Sequence, residues 1–255
     1  MRNKYNFIAI GSLGIKLLIA IIFSITTPHI VAAQQTNLNA LMQEYGMVDI
    51  QKLDPEILVE LKYSTNDNFV GRDMYGDLKR AYLEKEFANR VVKAQKILKE
   101  RNASYTLLIY DAARPISTQR AMRNMVEGTE LERFVADDKR GGRHNYGVAV
   151  DLTIATIDGV PLDMGTGFDD FSNAASVKGT PDTSDPKTRT IEIYRTYIEN
   201  LVTNGIISRI AANNRILLLE VMLEAKLYPY RREWWHYEDI MPMDSVRLKY
   251  RLLDF

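Results

Sequence analysis

Apolar positions along the chain follow two periods, and the change from one to the other marks the elements. Leu38 to Tyr45 predicts a short helix, and Glu84 to Glu100 a longer one, with Phe87, Val91, Ala94 and Leu98 on one face. Between them Ile57, Val59, Leu61 and Tyr63 alternate with mostly polar neighbours, the period of a half-buried strand. The apolar run Tyr105 to Tyr110 predicts a central strand. A helix over Ser117 to Glu127 follows, with Ser117 as its cap and Pro115 just ahead. Gly141 to Gly147 reads as a loop feeding a strand over Val148 to Ile154, and the polar stretch Ser172 to Arg189 as an exposed loop. Helices over Thr190 to Thr203, stopped by Asn204-Gly205, and over Asn214 to Ala225 precede a last strand, Tyr228 to Tyr237. Segregated helices with short, mainly antiparallel strands predict an α+β fold: one domain, a central sheet flanked by helices.

The ends and the composition narrow the class. Arg2 and Lys4 precede an apolar run from Leu17 to Ile25, and Val31-Ala32-Ala33 stands before Gln34-Gln35. That is the three-part pattern of a secretory signal peptide over residues 1–33, with cleavage after Ala33. A signal anchor from Phe7 to Val31 is the alternative, and Lys16, which interrupts the apolar stretch, weighs against it. The expectation is an exported, periplasmic protein of residues 34–255 with no stable membrane insertion. The whole chain of 255 residues has 33 Lys+Arg against 33 Asp+Glu. That balance leaves no basic excess for a nucleic-acid backbone. With no Cys, disulfides, thiolate metal sites and a Cys nucleophile are all excluded. Of three histidines, His29 lies in the signal segment, so only His144 and His236 remain for chemistry.

Both lie in segments dense with functional residue types. Gly142-Arg143-His144-Asn145-Tyr146-Gly147-Val148-Ala149-Val150-Asp151 is the first, and Glu233-Trp234-Trp235-His236-Tyr237-Glu238 the second. Two imidazoles and a carboxylate suit a catalytic zinc, which keeps three protein ligands and an open place for water. The competing reading is a surface His in a salt bridge with a strand Asp. Glu233 and His236, three apart, point to opposite faces of a regular strand but to one face across a bulge or turn. If they share a face, Glu233 is the general base for a water activated there. Otherwise the segment is a packed Trp pair beside a solvated Glu. At the end of the predicted central strand, Tyr110-Asp111-Ala112-Ala113-Arg114-Pro115 sets Arg114 to stabilise an oxyanion or to pair with Asp111.

Five segments in order resemble the zinc D-alanyl-D-alanine dipeptidases, the family that includes the dipeptidase of vancomycin resistance. They are Tyr63 to Gly71, Tyr110 to Pro115, His144 to Thr153, Asp163 to Asp169 and Glu233 to Tyr237. The resemblance implies one zinc on His144, Asp151 and His236, with Glu233 as catalytic base and acid. It implies Arg114 as stabiliser of the tetrahedral intermediate, and Asp169 with Tyr63 at the free ammonium of a small D,D-dipeptide. One departure is visible: the family usually has Ser two positions before the first zinc His, where this chain has Gly142. The alternatives are a related zinc D,D- or L,D-carboxypeptidase trimming peptidoglycan stems, and a catalytically silent cell-wall binding protein. Intact Glu233 weighs against the second. No Gly-x-Ser-x-Gly elbow supports a serine hydrolase.

Overall fold

A computed structural model describes residues 37–177 and 190–255. Residues 1–33, where a signal peptide is expected, and residues 178–189 of the predicted polar loop lie outside the described residues. In chain order the first elements are α1 (Leu38–Glu44), β1 (Val48–Asp49), α2 (Ile50–Leu53), β2 (Leu58–Val59) and β3 (Tyr82–Leu83). Next come α3 (Lys85–Arg101), β4 (Tyr105–Asp111), α4 (Ile116–Val126) and β5 (Ala149–Thr156). The last are α5 (Ile191–Thr203), α6 (Arg209–Glu224), β6 (Tyr228–Pro229), β7 (His236–Glu238) and α7 (Met243–Lys249). Short 3-10 turns at Lys62–Ser64 and Arg143–Tyr146 stand between them.

The sheet that carries the site has the order β2-β4-β5-β7-β6. All its pairings are antiparallel except β2 with β4, which run parallel. The α+β expectation of a mainly antiparallel central sheet is met. β5 lies at its centre, and Ala149 to Ala155 are all buried, so its sequence reads as a nearly continuous apolar run. Against this sheet α3 buries Phe87, Ala88, Val91, Ala94, Ile97 and Leu98. The Glu84 side chain caps α3 by accepting from Phe87 N at 3.0 Å, and Lys99 and Arg101 occupy its last turn, where cations suit the helix dipole. Gln95 of α3 is buried and spent on β4, donating to Thr106 Oγ1 at 2.9 Å and accepting from Leu107 N at 2.8 Å.

Several boundaries depart from the sequence reading, each for a physical reason. The strand expected over Ile57 to Tyr63 pairs only at Leu58–Val59, because the chain turns at Lys62–Ser64 to bring Tyr63 inward. α4 begins one residue earlier than expected, with Pro115 at its N-cap. Ser117 is not the cap: its backbone N–H donates to Phe255 O at 3.2 Å, within the C-terminal tail. α6 starts at Arg209 rather than Asn214, since Ser208 caps it by accepting from Ala211 N at 3.0 Å. In the stretch expected to be exposed, Ala175, Ser176 and Val177 are buried, with Val177 N donating to Arg231 O at 3.1 Å. The last strand is not continuous: β6 and β7 pair with each other as an antiparallel hairpin, joined by a loop over residues 230–235. Among the described residues no helix is long and apolar enough to cross a membrane.

Candidate metal centre and active-site cavity

Three neighbouring strands set acidic and imidazole side chains side by side. Asp151 on β5 is opposite His236 on β7 and, on the other side, opposite Asp111 on β4. A register shift in β4 between Ile109 and Asp111 re-aims the strand end. His144 comes from the 3-10 turn before β5. That turn closes at Gly147 with φ +69°, where a Cβ would meet Met47 Sδ at 2.6 Å and Glu84 N at 2.9 Å, so only glycine fits. The buried Asn145 ties the turn down, donating from its side chain to Arg114 O at 2.9 Å.

His144, Asp151 and His236 each aim one ligand atom at a common point, with those atoms all within 4.8 Å of one another. Asp151 Oδ1 lies 2.9 Å from His236 Nδ1 and 3.4 Å from His144 Nε2, yet it is buried without a properly directed hydrogen bond. A buried carboxylate oxygen in that condition is an exception that calls for a partner. The remaining ring nitrogens are committed elsewhere: His144 Nδ1–H donates to Ala112 O at 2.7 Å, and His236 Nε2–H donates to Glu238 Oε2 at 3.1 Å. Both imidazoles are thereby turned so that the free nitrogen faces Asp151, the arrangement a metal ligand needs. Electrostatics agree with the geometry. Burial opposes charge on His236, but Asp151 and Glu238 outweigh it and raise its pKa to about 10. Burial likewise opposes charge on Asp151, while His144 and His236 hold its carboxyl far below the usual range. This donor set attracts positive charge and could hold a metal ion.

All the residues singled out in the sequence converge on one cavity of about 260 Å³. Tyr63, Arg114, His144, Asp151, Asp169, Glu233 and His236 all line it. The hairpin loop that joins β6 to β7 brings Glu233 round to the face of His236, with Glu233 Oε2 3.9 Å from His236 Nδ1. Burial raises the Glu233 pKa to about 7, opposed by His236 and assisted by Asp151 and Glu238. Arg114 is held rigidly by Asp111, whose Oδ2 accepts from Nη2 at 2.5 Å, and by Gln119 Oε1, which accepts from Nη1 at 2.8 Å. Its guanidinium carbon sits 5.0 Å from the centre of the Tyr63 ring. The Asp111–Arg114 pair raised by the sequence therefore forms, and Arg114 still lines the cavity. Trp235 forms part of the wall, and the Trp234 indole N–H donates to Thr166 Oγ1 at 2.9 Å, so both tryptophans pack as expected.

Asp169 sits apart from the three clustered ligand atoms. It accepts from Tyr63 OH at 3.1 Å and Phe69 N at 3.2 Å, on a backbone with φ +60° that Asp tolerates better than most residues. The loop carrying it is pinned by the buried Arg215 of α6, which donates to Met164 O at 2.6 Å and Ala174 O at 2.8 Å. Enclosure raises the Asp169 pKa from 3.8 to about 8, with Asp151 adding to the rise and the bonds from Phe69 and Tyr63 opposing it. Between those two values the unfolded chain releases this proton while the folded chain keeps it. Its stabilisation is fully present below about pH 4 and is lost as pH rises toward 8. Asp169→Asn removes that titration. The difference in melting temperature between wild type and variant should shift against the wild type from about pH 5 to about pH 9. A pH-independent difference would refute the raised pKa.

Gly142, where the family resemblance expects Ser, has an ordinary extended backbone, so the exclusion comes from its neighbour. A Cβ there would stand 2.9 Å from Ala136 Cβ. Gly142→Ser should lower stability by about 1–3 kcal/mol, and adding Ala136→Gly should restore most of it, as read by thermal melts. Full stability of the single variant would show that the Ala136 segment yields freely.

The sequence reading did not assign Asn145, Gln119, Arg143 or Glu238 a role. Asn145, Arg143 and Glu238 stood inside the two His segments already singled out, whereas Gln119 carried no signal. The profile of the D-ala-D-ala dipeptidase family matches residues 43–250, the span that includes every cavity residue named above. The D-alanyl-D-alanine dipeptidase of Escherichia coli (strain K12) is 28% identical over 192 residues, covering 75% of this chain and 83% of that protein. With the match running through nearly all of the described residues and the donor set complete, the chain belongs to the D-ala-D-ala dipeptidase family of metallopeptidases.

Proposed function

We propose that the protein is a zinc dipeptidase that hydrolyses D-Ala-D-Ala or a close D,D-dipeptide into its two amino acids. The observation that carries this reading is one small cavity holding both the His144–Asp151–His236 cluster with Glu233 and a separate carboxylate, Asp169. Its volume of about 260 Å³ falls below the roughly 300–1,000 Å³ of sites for drug-sized ligands, which favours a short substrate over a polymer. His144, Asp151 and His236 are the proposed zinc ligands; two imidazoles and one carboxylate are a common catalytic donor set. When bound, zinc supplies Lewis acidity, which makes water a usable nucleophile near neutral pH and polarises a carbonyl.

The chain's own groups do the rest. Glu233, with its pKa raised to about 7, accepts a proton from the attacking water and passes it to the leaving amine as the peptide C–N bond breaks. Arg114, fixed by Asp111 and Gln119, faces the negative charge that develops on the carbonyl oxygen. Asp169 and the Tyr63 hydroxyl receive the free ammonium, which offsets the cost of ionising Asp169 in its enclosed place. The basic start, apolar run and Val31-Ala32-Ala33 of the first 33 residues support export, and with it turnover of wall-derived dipeptides as the setting.

The test is to incubate zinc-loaded protein with D,D-, L,D- and L,L-dipeptides and a stem pentapeptide, and to read amino-acid release. Rapid hydrolysis of D-Ala-D-Ala with the pentapeptide untouched is expected. Trimming of the pentapeptide with dipeptides left intact would replace the reading by a carboxypeptidase, and no release from any substrate by a binding protein.

A further inference from the structure

The two histidines of the cluster are oriented by different devices. His144 donates to a backbone carbonyl, Ala112 O, which the fold fixes without help from any side chain. His236 instead donates from Nε2 to a carboxylate, Glu238 Oε2, at 3.1 Å. Glu238 follows His236 by two positions on β7, and the strand period of two puts both side chains on one face. Its other oxygen, Oε1, lies 3.1 Å from Arg143 Nε in an ion pair. Arg143 in turn immediately precedes His144, so the chain segment that supplies one imidazole also braces the other.

Charge explains why the brace has two members. Glu238 stands against His236, in a site that already contains the carboxylates of Asp151 and Glu233. A further carboxylate so near is costly unless a cation balances it. Arg143 provides that balance, and the ion pair is largely shielded, with side chains 15% and 17% exposed, where charges are screened less than at an open surface. Arg143 Nη1 is buried with no hydrogen-bond partner, so the guanidinium pays a desolvation cost to sit here.

We propose that Glu238 and Arg143 are positioning residues that hold His236 with Nδ1 directed at the metal and thereby set how tightly this site binds zinc. The proposal rests on the reading of His236 as a zinc ligand. Glu238 acts by accepting the Nε2 proton, which fixes the tautomer and raises the basicity of Nδ1. Arg143 acts only through Glu238, by holding that carboxylate in place beside His236.

Zinc affinity of the full chain, measured by competition with a chromophoric chelator, separates these statements. Glu238→Gln is close in size and should weaken zinc binding about 10- to 100-fold, the scale for removing an outer partner of a ligating histidine. Arg143→Gln should weaken it less, and the double variant should bind no more weakly than Glu238→Gln alone. Glu238→Asp should recover part of the loss. The visible spectrum of the cobalt-substituted protein should shift in Glu238→Gln, a signature that general loosening of the fold would not produce. Melting of each metal-free variant provides the folding control. His236→Ala keeps the two readings apart. If it retains zinc, the ligand assignment fails. If it loses zinc while Glu238→Gln binds within about twofold of wild type, or the two single losses multiply in the double variant, the positioning proposal fails alone.

Discussion

Substitution of His236, Asp151 or His144 by Ala is expected to abolish zinc binding at stoichiometric protein and, with it, hydrolysis of D-Ala-D-Ala. Three protein ligands are the working minimum for a catalytic zinc site, and each of these residues supplies one atom to the cluster. No other imidazole or thiolate is at hand: the chain has no Cys, and His144 and His236 are the only histidines among the described residues. Asp151→Ala also leaves two inward-facing imidazoles without the carboxylate between them. Metal analysis of desalted protein decides the matter. Wild type should hold about one zinc per chain, chelation should remove it and activity together, and zinc should restore both. A His236→Ala protein that retains a full equivalent of zinc would overturn the ligand assignment.

Glu233→Ala should behave in the opposite way, keeping the zinc and losing turnover by about 10²–10⁴-fold, the range for removing a positioned acid-base group. The separation follows from geometry. Glu233 approaches His236 to 3.9 Å but is not among the three converging ligand atoms, so its removal leaves the donor set intact. With substrate binding assigned in the proposed function to other groups, Asp169 and Tyr63, the loss should fall on kcat rather than KM. Glu233→Gln should fare no better than Ala, because an amide keeps the shape but cannot take the proton. Near wild-type turnover in a zinc-replete Glu233→Ala protein would mean that another group serves as the base.

How much of this was legible before the fold was known differs from element to element. Local signals worked where the relevant contacts are local. The stripe Phe87–Val91–Ala94–Leu98 placed α3, and the apolar runs placed β4 and β5, because burial on one helix face or on both sheet faces leaves its period in the chain. The two His segments announced the donors by residue type, since a catalytic cluster needs imidazole and carboxylate and the chain offers few imidazoles. Local signals failed at Ser117, which reads as a cap but meets the C-terminal tail, and at Asn214, where α6 had already begun from the Ser208 cap.

The sequence by itself determined the α+β class and the identities of Tyr63, Arg114, His144, Asp151, Asp169, Glu233 and His236. Only the tertiary structure decided that these seven, spread over more than 170 positions, line one cavity. Strand pairing brought Asp111, Asp151 and His236 abreast, and no periodicity encodes which strand lies beside which. The hairpin loop between β6 and β7 turned Glu233 to the face of His236, a choice that spacing of three left open. Packing of Ala136 against Gly142 closed the place a serine would take, and the Arg143–Glu238 pair formed across 95 positions of chain. Such contacts depend on where remote segments meet, and that is settled by burial of the whole core rather than by any local stretch of sequence.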